Sequence, residues 1–387
     1  MLSIVVFAPV LAAVVLIAVP QISDRAARWA WVGVSSVEVV LVTVLWVRFD
    51  DDASFAYETR QQWIPSIGSS YHIGLDGFGL PMVALTAVLF LACAIYSLRE
   101  TRRVRTYAAL FLFLETACLG VFVSLDLVLF FVFFDLSIVG MYFVINGWGH
   151  SGARRAALQF FLYTFVGSLA LLLGFIVVYI AAAPHTFDIV ELTAQNPLAD
   201  NAGVAAAALA AIFVGLAIKT PSVPFHTWLP PAHTEAPAAG SAILAGVLLK
   251  LGTFGFVRIA MPLLPQAWRT YAWVFVIVGV VSVLYGALVG LAQSNFKRMI
   301  AYTSVNHMGY VLLAVGAAGM VASSNQHARQ LAVTGAVTQM VSHGLITGAL
   351  FLLAGVLYER RRTYNLDAYG GSAAAAPVFA ATTASRT

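Results

Sequence analysis

Eleven stretches of this chain are apolar over enough residues to be read as membrane spans, with approximate limits 2–20, 29–47, 78–97, 107–125, 127–147, 157–182, 203–222, 239–260, 271–292, 299–320 and 331–357. A bilayer's hydrocarbon layer is about 30 Å thick and takes about 20 residues of helix to cross. A backbone inside it must satisfy its own hydrogen bonds, which leaves helices or closed barrels. Continuous apolar runs of this length predict an all-α polytopic membrane protein of about eleven transmembrane helices. They leave no room for a sizeable soluble domain. Only 10% of the residues are charged, against about 25% in an average soluble domain. A charge inside one of these runs is therefore a costly exception.

The basic residues divide unevenly between alternate connections. One set holds thirteen: Arg25, Arg28, Arg99, Arg102, Arg103, Arg105, Arg154, Arg155, Lys297, Arg298, Arg360, Arg361 and Arg362. The opposite set holds five, Arg48, Arg60, Arg258, Arg269 and Arg329, together with the acidic stretches Asp50–Asp52 and Asp188–Glu191. Cytoplasmic loops carry the excess of Lys and Arg, so the N-terminus is expected outside and Arg360–Arg362 inside. The same loops account for the net charge of +4, and no nucleic-acid partner is called for. Residues 2–20 lack a basic leader, which predicts a retained first helix rather than a cleaved signal peptide. Cys93 and Cys118 fall inside apolar runs and read as small buried hydrophobes rather than a disulfide or metal pair. The connection 48–77, with Asp51, Tyr57, Trp63, Pro65 and Ser69, predicts an ordered external loop or hairpin. Asp76–Gly79 (DGFG) reads as a turn entering the third helix, not a nucleotide loop, and the sequence contains no Walker motif or metal-type Cys/His cluster.

The segment from Ile212 to Phe256 concentrates two lysines, two histidines, a glutamate and five prolines within otherwise apolar sequence. Pro221 and Pro224 follow Lys219 closely, and each removes a backbone donor and clashes with the preceding turn. A broken helix is expected there, its carboxyl end presenting partial negative charge to Lys219. A break at membrane depth is tolerated only where protein or a wet cavity surrounds it. Lys250 has apolar or small residues on both sides, Gly240–Leu249 and, Arg258 apart, Leu251–Ala260, and is placed near mid-membrane. The plainer readings are a snorkelling Lys219 and a structural ion pair at Lys250. Asp135 and Glu115, each near the middle of its own run, are the candidate acids, with Asp135 the expected partner of Lys219. His307 and His343 lie on consecutive helices beside hydroxyl and amide residues. Together these groups make a polar file across several helices, as proton relays require. His226 and His233, in the connection after the break, suit loop capping or water-lined positions as well as a relay. Bis-histidine haem ligation by His307 and His343 is the alternative from a different class.

The stretch IKTPSVPFHTWLPPAHTEAPAAGSAILAGVLLKLGTFGF closely resembles the hallmark of the antiporter-like membrane subunits of respiratory complex I, in its M-type (chain 4) form. Similar matches are LDLVLFFVFFDLSIVGMYFVINGWGH, NFKRMIAYTSVNHMGYVLLA and VTQMVSHGLITGALFLLAGVLYERRRTYNLDAYGG, so the resemblance runs from about Leu75 to Gly371. It implies a channel subunit of a proton-translocating NADH:quinone oxidoreductase in the bacterial inner (plasma) membrane. Two inverted five-helix repeats, each with a broken helix, are the family's fold. The resemblance implies L- and N-type neighbours, lipid and protons as partners. NADH, FMN, iron–sulfur clusters and quinone would belong to other subunits, with no cofactor or redox chemistry in this chain. Position by position, the family's buried acid falls on Asp135, its lysine at the break on Lys219, its central lysine on Lys250, and its connecting histidines on His307 and His343.

The implied organisation is residues 1–100 for helices 1–3 with the external loop 48–77, 101–260 for a first repeat of helices 4–8, 261–371 for a partial second repeat of helices 9–11, and a tail 372–387. Two departures stand out. Asp135 occupies a position where the family usually has glutamate, one methylene longer. The family has about fourteen helices, whereas this sequence ends at Thr387 after its eleventh run, and a fragment lacking the second broken helix is the expectation. A subunit of a multi-subunit sodium/proton antiporter shares these motifs and is the rival function, with a purely structural or assembly role as a third reading.

Overall fold

The structure is a computed structural model that describes residues 1–50, 54–322 and 325–370. Asp51 and Asp52 of the external connection, Gly371 and the 372–387 tail lie outside the described residues. The chain is a bundle of long helices: α1 (Leu2–Ala18), α2 (Asp24–Val47), α3 (Gly79–Tyr96), α4 (Val104–Val123), α5 (Leu127–Trp148), α6 (Ala153–Ala181), the short α7 (Ile189–Gln195), α8 (Ala202–Lys219) and the short α9 (Leu229–Glu235) come first. A helix interrupted by two π-turns, α10 (Ala238–Leu263), follows, then α11 (Pro265–Leu291), α12 (Phe296–Met320) and α13 (Gln326–Arg361). Among the described residues nine helices are long and apolar enough to cross a membrane. The other two expected runs are occupied by α1, which has 17 residues, and by α12, whose apolarity is diluted by Lys297, Arg298, Asn306 and His307.

Short polar side chains start these helices by taking otherwise orphaned backbone donors. Ser23 caps α2, Asp126 caps α5, Asp188 caps α7, Asn201 caps α8, Asn295 caps α12 and Asn325 caps α13. Asp76 Oδ1 accepts from the backbone N–H of Phe78 and Gly79 at 3.1 and 2.8 Å, the turn expected at the entry to α3.

The connections gather into two opposite layers. On one side Arg28 donates to Leu98 O, Trp148 Nε1 to Arg102 O, and the backbone of His150 to Glu235 O. On the other, the connection after α2 forms the expected hairpin, β1 (Ala56–Ile64) antiparallel to β2 (Ser69–Leu75). The hairpin is held by buried polar bonds to the neighbouring connections. Asp126 accepts from Ser69 Oγ and the Ser70 backbone N–H while capping α5. His72 bridges Asp188 Oδ2 at 2.6 Å and Glu58 Oε1 at 2.7 Å, and Arg60 reaches Glu191 and Asp188 at 2.5 and 3.3 Å.

At the centre stands α10, whose apolar stretch is wholly buried against α3, α8 and α13. Gly252 allows it to approach the end of α8: a Cβ there would lie 2.5 Å from Thr220 Oγ1 and 2.8 Å from Leu216 O. Two basic residues read as loop charges are in fact interior. Arg258, on the last turns of α10, is 7% exposed and donates to Asp76 Oδ1 at 2.5 Å, with the rings of Phe55 and Phe254 beside it. Lys297 is fully buried, donates to Ala236 O at 2.5 Å and lies over the Tyr364 ring. Charge position along the chain gave no sign of either, because the acceptors lie 182 and 61 residues away.

Candidate functional site

The helix broken at its prolines is present as expected. The first half, α8, stops at Lys219, turns occupy 220–228, and the second half, α9, resumes at Leu229. The freed carbonyls find partners inside the protein, as a break at membrane depth demands. Trp228 Nε1 donates to Ile218 O at 2.9 Å, the Ser222 backbone N–H to Ala217 O at 3.1 Å, and the Val223 N–H to Ser282 Oγ at 2.9 Å.

Lys219 is 1% exposed, so it does not snorkel to an interface. Its ammonium donates to Ser137 Oγ at 3.0 Å and lies 4.8 Å from the centroid of the Phe134 ring. The expected direct pair with Asp135 is not formed: no ion pair joins them, and Asp135 Oδ1 is buried without a hydrogen-bond partner. The short aspartate side chain stays half-buried on α5, and the Ser168 hydroxyl of the neighbouring α6 donates to Phe165 O at 2.9 Å. Ser137 therefore takes the place at the ammonium that the acid was expected to fill.

Lys250 is completely buried. Among the described residues no carboxylate lies within ion-pair distance of it, which removes the reading of a structural ion pair. Its Nζ donates to Ala245 O at 2.6 Å and lies 2.5 Å from His343 Nδ1. The first π-turn, Leu244–Leu248, supplies that carbonyl: the Leu249 N–H bonds to Leu244 O, five residues back, and leaves Ala245 O free for the ammonium. On its other side His343 places Nε2 3.1 Å from Ser304 Oγ. With a protonated lysine donating to Nδ1, the proton of neutral His343 is on Nε2 and is donated to Ser304. The His307 ring follows with its centroid 5.3 Å from that of His343, and its Nδ1 lies 2.9 Å from Gln339 Nε2. A cavity of about 500 Å³, lined in part by Asn306, His307, Gln339, Ser342 and His343, opens beside the two histidines. The two rings lie in contact and both ring nitrogens of His343 are engaged, by Lys250 and by Ser304, so in this arrangement neither is open to a haem iron.

The remaining candidates do not join this hydrogen-bonded file. His233 is buried and stacked on Phe351 at 4.5 Å, with neither ring nitrogen hydrogen-bonded. His226 packs edge-on to Tyr285, and its Nδ1 has no partner. Glu115 accepts from Ser35 Oγ at 3.0 Å on the α2 side. Among the buried ionisable residues that sequence reasoning missed are Glu38 and Lys297. Glu38 carried the same signal as Glu115, an acid in mid-run. Lys297, at the mouth of a run, carried none.

A polytopic helical membrane protein with a helix broken at a buried lysine and a lysine–histidine file in its interior is the class that fold and site define. The chain belongs to the NADH:quinone oxidoreductase/Mrp antiporter membrane family, whose model matches residues 124–385. The NADH-quinone oxidoreductase subunit M of Rickettsia bellii is 39% identical over 389 residues, covering 98% of this chain and 76% of that protein. Subunit M of Rhodobacter capsulatus is also 39% identical, over 395 residues, 98% of this chain and 74% of that protein. Among solved structures, respiratory complex I from Thermus thermophilus with bound NADH superposes with a TM-score of 0.87 at 29% identity, over 98% of this chain and 76% of the matched chain. The Mrp complex from Dietzia sp. superposes at 0.85 and 25% identity, over 99% and 69%.

Proposed function

We propose that this chain is the M-type membrane subunit of a bacterial NADH:quinone oxidoreductase and carries protons through its buried lysine–histidine file. The observation that carries this reading is the unbroken contact from Lys250 through His343 to Ser304 and His307 in a helix bundle that supplies no carboxylate to Lys250. Transfer along the Nζ–Nδ1 hydrogen bond leaves a neutral lysine and an imidazolium, which releases its Nε2 proton toward Ser304 and His307. One proton enters at Lys250 and one leaves through Nε2, which leaves His343 as its Nδ1–H tautomer; the file resets when that proton has returned to Nε2 and Lys250 is reprotonated. Lys219 at the helix break is the entry group, held by Ser137 and biased by Asp135. Two unit charges about 6 Å apart at an effective dielectric near 20 interact by roughly 3 kcal/mol. A change of charge at one lysine is therefore felt at its neighbours.

The redox groups of the parent enzyme, NADH, FMN, iron–sulfur clusters and quinone, are assigned to other subunits. L- and N-type subunits are the membrane neighbours. The layer holding Arg25, Arg99, Arg154 and Arg360 is assigned to the cytoplasm, with the N-terminus and hairpin outside the plasma membrane. Residues 101–260 and 261–371 are assigned to the first repeat and part of the second. The rival reading, a sodium/proton antiporter subunit, is supported by the likeness to the Mrp complex. The higher identity to proteins named NADH-quinone oxidoreductase subunit M favours the first.

The test places Lys219→Ala and Lys250→Ala separately in the full-length subunit within the assembled enzyme. Proton export and quinone reduction are then measured on inverted membrane vesicles. Each variant is expected to lose most export per NADH oxidised. Undiminished export in both overturns the proposal.

A further inference from the structure

Away from the lysine–histidine file, the interior holds one more group of ionisable side chains without a counter-charge. The buried face of α2 presents Trp31, Ser35, Glu38 and Val42 at helical spacing and packs on α4. Glu38 and Glu115 are each 0% exposed. Ser35 Oγ donates to Glu115 Oε2 at 3.0 Å. Glu38, three residues further along α2, projects from the same buried face one turn from the serine that meets Glu115. Both carboxyl oxygens of Glu38 and Oε1 of Glu115 have no hydrogen-bond partner. Among the described residues neither acid takes part in an ion pair.

Ionised acids at such a place are expensive. A lone carboxylate at membrane depth costs several kcal/mol, and two that share a site cannot readily both be charged. A proton solves both problems, since a carboxylic O–H supplies the donor that the free oxygens lack. On the α4 side, Cys118, also buried, stands one turn from Glu115. We propose that Glu38 and Glu115 form a proton-holding dyad in which at least one carboxyl keeps its proton at neutral pH. The dyad stores a proton in the bundle interior between α2 and α4, apart from the lysine–histidine file. Its use in transport rests on the function proposed above; the presence of the carboxylic proton does not.

Infrared difference spectroscopy of the full-length subunit in membranes reads this directly. In resting wild-type membranes at neutral pH, a carbonyl-stretch band of protonated carboxyl groups is expected that shifts in D₂O. Glu38→Gln is expected to remove intensity from it and to move the frequency of what remains, because Glu115 has lost its partner. Ser35→Ala is expected to move the frequency and leave the intensity. Retention of the helical amide band in the membrane fraction establishes that each variant is folded. Two results overturn the dyad: spectra of Glu38→Gln and Glu115→Gln that superimpose on wild type in this region, or loss of the wild-type band on adding sodium, which would make the pair a metal-cation site. Neither readout needs turnover, so the dyad fails or stands independently of the pumping assays on Lys219→Ala and Lys250→Ala.

Discussion

At the scale of single residues, the contact that decides the entry site is the one Lys219 makes with Ser137 rather than with Asp135. A hydrogen bond to a charged group is worth about 1.5–3 kcal/mol net, and the 3.0 Å bond from Lys219 to Ser137 is the one hydrogen bond the structure gives that ammonium. Ser137→Ala is therefore expected to lower proton export about ten-fold or more, since about 1.4 kcal/mol corresponds to a factor of ten. The extra methylene of glutamate lengthens the reach of residue 135 by about one carbon–carbon bond, roughly 1.5 Å. In an Asp135→Glu background the carboxylate can take over the ammonium, and Ser137→Ala is expected to lose much less. The double-mutant cycle on export measures this coupling. Equal losses in both backgrounds, or none in either, would show that Ser137 does not substitute for the acid. Lysines and acids in apolar runs were conspicuous in the sequence, but which of them meet was not. A serine is unremarkable in a membrane helix, and its choice by Lys219 depends on the orientations of α5 and α8 together.

Among the elements, the hairpin is held to the bundle by a charge clamp whose strength depends on pH. Burial pulls the His72 imidazole down, but its hydrogen bonds to Asp188 and Glu58 and their negative charges outweigh this, and its pKa is raised above the ordinary value of 6.5. Burial pushes Asp188 up, yet the His72 bond, the Glu191 backbone N–H and the charges of His72 and Arg60 hold it below its ordinary 3.8. The stabilisation from His72 is fully present below about pH 6.5 and is lost as pH rises through the raised value. That from Asp188 is present above about pH 3.8 and is lost as pH falls through the depressed value. The clamp is thus tightest between about 4 and 6.5. Backbone amide exchange in Ala56–Leu75 is expected to be slowest in that window once corrected for intrinsic rate, and to lose its dependence above pH 6 in His72→Gln. An unchanged profile in that variant would remove His72 from the clamp. The hairpin, the turn at Asp76 and the break after Lys219 were all legible in the sequence, because each is set by local chemistry: turn formers, an Asx cap, paired prolines. The π-turns around Lys250 were not. Each depends on a hydrogen-bond shift of one residue within an apolar helix, and at the first the freed Ala245 carbonyl goes to the Lys250 ammonium, a contact that no pattern of hydrophobicity records.

For the whole molecule, the arrangement of connections and the distribution of charge bear on the same question of orientation. The structure sorts the connections into two layers, one with the hairpin and one with the loops around Arg99, Arg154 and Arg360. Removing the buried Arg258 and Lys297 from the loop charges leaves the bias in place, with the basic excess still on the layer opposite the hairpin. Alternation along the sequence had placed the same segments together because an even number of crossings separates them, a constraint that survives errors of several residues at any boundary. Which layer faces the cytoplasm follows from the bias alone, and it can be tested with one pair of conservative changes. Ser66, on the hairpin turn, and Ser151, in the loop before α6, are both exposed on opposite layers, and the two native cysteines, Cys93 and Cys118, are buried. A membrane-impermeant maleimide added to intact spheroplasts is expected to label Ser66→Cys and to leave Ser151→Cys unlabelled until the membrane is opened. Labelling of Ser151→Cys alone would invert the orientation, and with it the direction of the proton path proposed for Lys219 and the histidine file. Because the broken helix runs from the hairpin layer at Ala202 to the opposite layer at Glu235, this single pair of variants also decides on which side of Lys219 the second half-helix opens.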